Sequence, residues 1–333
     1  MRSSLGAAGA GPLQLAAVAA GYFAAGKIVL LGDLMMHLNV APLYPPTGIA
    51  LGCLLLLGLR IWPGLIVGAA ALYLSAGASL FAAVTASLGT TLAPVCAYLV
   101  LRRLRFRIEL DRLRDAVALV LVGGASMLIS SFVGVVAALL EGSVTMTAFP
   151  SVWFIWWTGD TMGVLVFTPL LLMLAKARVP RNVSAYRWLE ATVLVVSTLG
   201  VTVLAMTSPF NLLFLIFPFL AWTAVRFQLF GVSPCVLVVA TAALIAAMLE
   251  IGPFAGDVRI ASLVTLQVFN ASAALTGLVI AALMCERNVA YRRIESASGE
   301  LANAVSHLAA RMSGEAPAER WASQRKRERD DDR

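Results

Sequence analysis

Apolar residues in this chain do not alternate with polar ones; they run together in long blocks cut by turn residues and isolated charges. The blocks fall near 13–31, 46–59, 61–75, 80–101, 115–140, 151–174, 189–206, 210–225, 231–250 and 262–284. A helix needs about 20 apolar residues to cross a hydrocarbon core of ~30 Å, and most of these blocks approach or exceed that length. The pattern predicts an all-α, polytopic transmembrane helical bundle of about 8–10 crossings with a short cytoplasmic C-terminal helix. Blocks 46–59 and 61–75 are short. They are either two tilted crossings joined at Arg60-Ile61-Trp62-Pro63-Gly64 or a re-entrant pair, and both choices return the chain to the same side. The first block, Leu13 to Leu31, is longer than a signal-peptide core and reads as an uncleaved first helix.

Beyond Met284 the composition turns polar while the helical signal continues. Ile294, Leu301, Val305, Leu308 and Met312 recur with the spacing of a coiled-coil seam, so the segment is a short parallel coiled coil or a solvated amphipathic helix. Gly314 and Pro317 end it. The expected organisation is a cytoplasmic N-terminus (1–12), an integral membrane domain (13–285), a cytoplasmic helix (286–314) and a disordered charged tail (315–333).

Composition removes whole classes of function. Hydrophobic residues make up 60% of the chain and charged residues 13%, against about 45–50% and 25% in soluble domains. Soluble enzymes, nucleic-acid readers and secreted disulfide scaffolds are excluded for residues 1–285, and the surrounding lipid is the first partner. The net charge of +7 has a topological meaning. With the N-terminus inside and every block crossing, thirteen of the 15 Lys+Arg before Glu286 fall on the inner side, Arg259 falls outside, and Lys27 sits within a helix. By the positive-inside rule both termini are cytoplasmic. Four dispersed cysteines and two histidines, His37 and His307, offer no metal-ligand spacing, and no cofactor is expected.

Three clusters interrupt the apolar blocks. The first is Tyr44-Pro45-Pro46-Thr47-Gly48, followed by the turn Trp62-Pro63-Gly64; prolines at a helix start sacrifice no hydrogen bond. The second runs from Trp153 through Trp156, Trp157, Gly159, Asp160 and Gly163 to Pro169. Asp160 falls about 14 Å below the outer end of its helix, where a carboxylate marks a functional site or a structural hydrogen bond. Gly159 and Gly163 form a small-xxx-small packing face. In the third cluster, Pro218, Trp222 and Arg226 precede an outer turn at Gly252-Pro253, and Arg226 is placed to snorkel toward phosphates. No phosphate-binding loop, dinucleotide fingerprint or nucleophile elbow is present, so no enzyme is expected.

In these residues the chain resembles the bacterial membrane-associated sensor domain of the first type. That family carries a double-proline entry, a W-P-G turn, W-W-x-G-D-x-x-G-V-L with a downstream proline, an F-P-x-x-x-W-x-x-x-R-F segment, a G-P-F loop and a final E-R. Here these stand at 45–49, 62–64, 156–165 with Pro169, 217–227, 252–254 and 286–287, with Tyr44 replacing the family's tryptophan. The resemblance implies a sensory input in the bacterial plasma (inner) membrane. Its relatives drive a histidine kinase, a diguanylate cyclase or a phosphodiesterase, whereas this tail shows no such motif, so a separate output partner is expected for a stand-alone or truncated chain. The seam implies a homodimer. A transporter or substrate-capturing permease subunit is the competing reading, since buried polar residues and interrupted helices also describe transporters. The expected ligand pocket opens outward and is lined by Asp160, Trp156, Trp157, Thr47 and Lys27, and Lys27 can reach Asp160 if helices one and six are neighbours.

Overall fold

The computed structural model describes residues 11–31, 41–177, 184–208, 210–255 and 259–312. Of the sequence expectations, residues 1–10, Asp33, His37, Arg178, Arg181, Asp257 and the tail 315–333 lie outside the described residues.

Among those described, all regular structure is helical: α1 (Pro12–Leu31), α2 (Pro45–Leu57), α3 (Trp62–Ser75), α4 (Leu80–Arg103), α5 (Leu113–Leu140), α6 (Phe149–Lys176), α7 (Ala185–Thr207), α8 (Ile216–Met248) and α9 (Arg259–Met312). Proline placement sets several starts. Pro45 and Pro46 open α2, Pro63 opens α3 and Pro150 opens α6, each in a first turn whose N–H groups have no partner within the helix. Gly58 stops α2 with a φ of 86°, a left-handed value that suits glycine, and Leu59–Ile61 then forms one 3-10 turn into α3.

Seven helices are long and apolar enough to cross a membrane, and α2 and α3 are shorter apolar helices. One of the seven, spanning 213–248, is not a single rod. Gln228 breaks α8 with φ 53° and ψ −141°. In a straight helix Thr223 and Gly231 would stand about 12 Å apart along the axis. Instead, a Cβ added to Gly231 would meet the Thr223 methyl at 2.8 Å, so the arms 216–227 and 229–248 fold back on each other. Each apolar block read from the sequence therefore has its own helical arm.

Packing of the first unit, Met1–Met284, relies on small residues at helix crossings. Gly64 and Gly68 of α3 lie against the backbone of Leu15 and Ala19, where added Cβ atoms would each meet a carbonyl oxygen at 2.7 Å. This seats α1 on α3 over a core containing Val18, Tyr22, Leu54, Leu65 and Leu72. A second core joins Leu51 to Ala97, Leu119, Met127 and Leu172. The largest core gathers Met162 and Val166 of α6, both arms of α8, and Leu266, Phe269 and Ala273 of α9. Large apolar side chains also face outward, including Leu121, Phe132, Val196 and Leu199. A surface this apolar is stable against lipid, not water.

Contacts between loops confirm the alternation of helix ends. Lys176 pairs with Glu109, and Arg226 pairs with Glu190, gathering basic loops at one end. At the other end Ser79 bonds Glu141, and the Gly252 turn rests on the carbonyls of Met206 and Ser208. Arg226, at the helix end where snorkelling is expected, has the Glu190 carboxylate of α7 as its partner in the protein.

The second unit, Cys285–Arg333, contains the remainder of α9. Its seam residues Ile294, Leu301, Val305 and Leu308 are all exposed, and the Arg287 guanidinium lies 5.4 Å from the Tyr291 ring centre.

Candidate functional site

Helices α2 and α6 cross with their backbones in contact. A Cβ on Gly48 would overlap the Gly163 carbonyl; one on Gly163 would overlap the Tyr44 carbonyl, and one on Gly159 the Ala41 carbonyl. Only glycine allows this backbone contact. It is sealed by hydrogen bonds between the helices: Tyr44 N–H donates to Gly159 C=O at 3.1 Å, and Thr168 donates to Gly48 C=O at 3.0 Å. Thr47 contacts the Tyr44 and Asp160 carbonyls at 2.8 and 3.0 Å. Pro169, buried further along α6, removes the N–H that the Leu165 carbonyl would otherwise receive.

Asp160 sits in the middle of this arrangement with no exposed surface. Neither carboxylate oxygen has a well-aligned hydrogen-bond partner among the described residues. Ser130 of α5 is the hydroxyl facing it, yet Ser130 Oγ is also unsatisfied, so the two approach without closing a bond. Around them gather three tyrosines, Tyr22 of α1, Tyr44 before α2 and Tyr73 of α3, with Thr90 of α4 beside Tyr22 and Tyr73. Tyr22 is buried and its hydroxyl too lacks a well-aligned partner. Hydroxyls from four segments thus interact with one carboxylate in an apolar bundle, and Thr90, whose own proton goes to the Ala86 carbonyl, lies behind the tyrosines.

Of the residues expected in the pocket, the structure joins Asp160 and Thr47. Trp156 and Trp157 turn to α5: Trp157 Nε1 donates to the Gly124 carbonyl at 2.8 Å, and the Trp156 ring lies on Gly134. Lys27 goes elsewhere. Its ammonium lies 3.5 Å from the Ser75 carbonyl at the end of α3, and 5.7 Å from the Phe23 ring centre. The Lys27–Asp160 pair is not formed, for a geometric reason. Tyr22 and Lys27 are five residues apart, about 140° around the helix, so when Tyr22 faces the core Lys27 cannot. Lys27 instead complements the free carbonyls of a helix C-terminus.

The sequence reading missed Tyr22, Tyr73, Thr90 and Ser130. One signal was available. Tyr22 precedes the end of α1 by nine residues, Thr90 follows the start of α4 by ten, Ser130 precedes the end of α5 by ten, and Asp160 follows the start of α6 by eleven. All lie at about 14–16 Å from the same end of the bundle. Equal depth marked Tyr22, Thr90, Ser130 and Asp160 as one layer, whereas Tyr73, two residues from the end of the short α3, gave no such sign.

Chemically, the layer offers two carboxylate acceptors and several hydroxyls that donate or accept. It suits a small polar or cationic guest, or water. Among the described residues no three His, Cys, Asp or Glu side chains cluster to hold a metal. The other motif residues are placed as follows. Trp62 is half-exposed at the start of α3, Pro218 and Trp222 lie on the first arm of α8 with Trp222 facing outward, and Gly252 and Pro253 form a 3-10 turn with Phe254 buried beneath.

No curated protein and no solved structure matches the chain. A family model does: that of MASE1, a family of membrane-associated sensory domains, over residues 14–288. The match spans every helix of the membrane bundle, including the α2–α6 crossing and the Gly252–Phe254 turn, and by it the chain belongs to the MASE1 family.

Proposed function

We propose that this chain is the sensory input of a bacterial inner-membrane signalling system, and that the layer around Asp160 reads the stimulus. The observation that carries the reading is the fully buried carboxylate with no cation beside it among the described residues, faced by hydroxyls from four segments. A charge in that position is too costly to keep for packing alone. A guest that supplies donors or a positive charge would draw the ring together, shifting α1, α3, α4 and α5 against α6. Both termini are cytoplasmic in this reading, on the basic end of the bundle. The exposed seam of α9 pairs with a second copy, and the dimer hands the change to a histidine kinase, diguanylate cyclase or phosphodiesterase. An input of this kind biases an equilibrium between two arrangements and itself performs no chemistry.

The test is a chimera of residues 1–312 with a diguanylate cyclase catalytic domain, read as cyclic di-GMP in cells. Asp160→Asn keeps the shape and removes the charge, and coupling energies of this class shift output by about 5-fold or more. Unchanged output, with protein level and dimer cross-linking intact, makes Asp160 structural and refutes the reading.

A further inference from the structure

A second recess lies away from Asp160, between α6 and the first turns of α9. It is a half-open cleft of about 240 Å³, lined by Phe154, Ile155 and Thr158 of α6 and by Leu263, Val264 and Gln267 of α9. Phe154 and Val264 are 42% and 41% exposed on the bundle's apolar exterior, so the cleft opens sideways toward lipid. Drug-sized sites occupy roughly 300–1,000 Å³. This volume suits one chain, not two.

Polarity narrows the occupant. Gln267 is only 6% exposed, and its Nε2 donates to the Pro42 carbonyl at 2.8 Å. A carbonyl only accepts, so this bond fixes which end of the amide is nitrogen. Gln267 Oε1 is then left buried with no donor among the described residues. Thr158 adds a second acceptor, because its hydroxyl proton is already committed to the Phe154 and Ile155 carbonyls at 2.9 and 3.0 Å. The Ser151 hydroxyl at the rim and the second Gln267 N–H are the cleft's remaining donors, and none of its lining residues is charged. A fatty-acid anion would bring a full negative charge into an apolar cleft whose lining holds no cation to meet it. A bare alkane would leave the Gln267 oxygen unpaired, which is costly in a low-dielectric site.

We propose that this cleft binds a neutral single-chain lipid with a hydroxyl head group, monoacylglycerol being the type. Its hydroxyl donates to Gln267 Oε1, and its chain lies along Phe154, Ile155, Leu263 and Val264. The occupant enters laterally from the bilayer and wedges between α6 and the first turns of α9. Binding here is independent of the layer around Asp160, and its test uses no signalling readout.

The full chain in phosphatidylcholine nanodiscs is irradiated with a diazirine-bearing monoacylglycerol, and adducts are mapped by mass spectrometry. Adducts should concentrate in 150–158 and 263–267 and be competed by unlabelled monoacylglycerol. The fatty-acid anion of equal chain length and the matching alkane should compete poorly. Gln267→Leu should weaken competition about tenfold, as loss of one buried hydrogen bond does. That variant also frees the Pro42 carbonyl, so Val264→Trp, which fills the cleft from its exposed rim, gives an independent reading and should abolish the specific adducts. Labelling spread over all lipid-facing helices in proportion to exposure would overturn the proposal. So would adducts that survive Val264→Trp, or a fatty-acid anion that competes as well as monoacylglycerol.

Discussion

Two helical stretches of this protein solve the problem of apolar surface in opposite ways. The middle of α6, around Gly159 to Leu172, meets neighbours on nearly every side, and its tightest contacts are backbone against backbone. The stretch of α9 beyond Met284 presents Ile294, Leu301, Val305 and Leu308 in the open. The first is specified by small residues that no other residue can replace. The second is specified by spacing alone, and in the proposed dimer a second copy completes it. Substitutions of one chemical kind should therefore have opposite consequences in the two places.

The largest expected effect is at Gly163. Gly163→Ala places a methyl on the Tyr44 carbonyl and the Thr47 hydroxyl, and neither helix backbone can withdraw without breaking the bonds that hold them. Overpacking of this sort should cost about 3 kcal/mol or more. In size-exclusion profiles of a fluorescent fusion, the monodisperse peak should vanish. Gly200→Ala on the open face of α7, where nothing lies within 4 Å, is the control and should leave the peak unchanged. If Gly163→Ala behaves like Gly200→Ala, the crossing is looser than its geometry.

Next comes the seam. With the native cysteines removed, Leu301→Cys and Leu308→Cys should cross-link in membranes far better than Asn303→Cys, because only the first two lie on the apolar face. Equal yields at the three positions would make this stretch a solvated single helix, and the contrast would become one between packed and unpaired. Smaller again is Gly299→Ala. It has open space around it inside a helix, and helix propensity favours alanine by roughly 1 kcal/mol. The same exchange that destroys the α2–α6 crossing should slightly raise helicity and cross-linking here.

The comparison also explains what could be read from the sequence. The helices were legible because lipid imposes length and composition on each apolar run separately, and even the fold-back at Gln228 was anticipated by the two blocks 210–225 and 231–250. The α2–α6 crossing was legible through Gly159 and Gly163, since small residues four apart leave a local trace. Gly64 and Gly68 left the same trace on α3, but the trace does not say that α1 is the helix packed there. The hydroxyl ring was not legible from any one helix. Tyr22, Tyr73, Thr90 and Ser130 are ordinary residues on four helices, and only packing brings them to one carboxylate. Which face of α1 turns inward is decided by its neighbours, and that information is spread over the whole bundle.

The smallest expected effect tests whether burial, not membership of one unit or the other, governs these differences. Glu109 lies on the short loop between α4 and α5, and its ion-pair partner Lys176 ends α6. The hydrogen bond from Lys176 holds the Glu109 carboxyl below its ordinary value, while partial burial opposes the shift. The Glu109 side chain is 43% exposed, so solvent screens the pair and its contribution should be ~0.5 kcal/mol or less. The sign follows from the direction of the shift. A carboxyl whose folded-state value is lowered stabilises the fold above the unfolded value of about 4.3, and that contribution fades as pH falls through the lower folded value. Glu109→Gln should therefore lower the thermal midpoint by a degree or so at pH 7 in low salt, a small shift of the size expected for an exposed pair. The difference should shrink in high salt, begin to fade as pH falls below about 4.3, and vanish only below the lowered folded-state value of the wild-type carboxyl. A large loss at pH 7 that persists in high salt would show that an exposed contact on the bundle's rim matters as a buried one does. Burial would then no longer account for the contrast between Gly163 and Gly299.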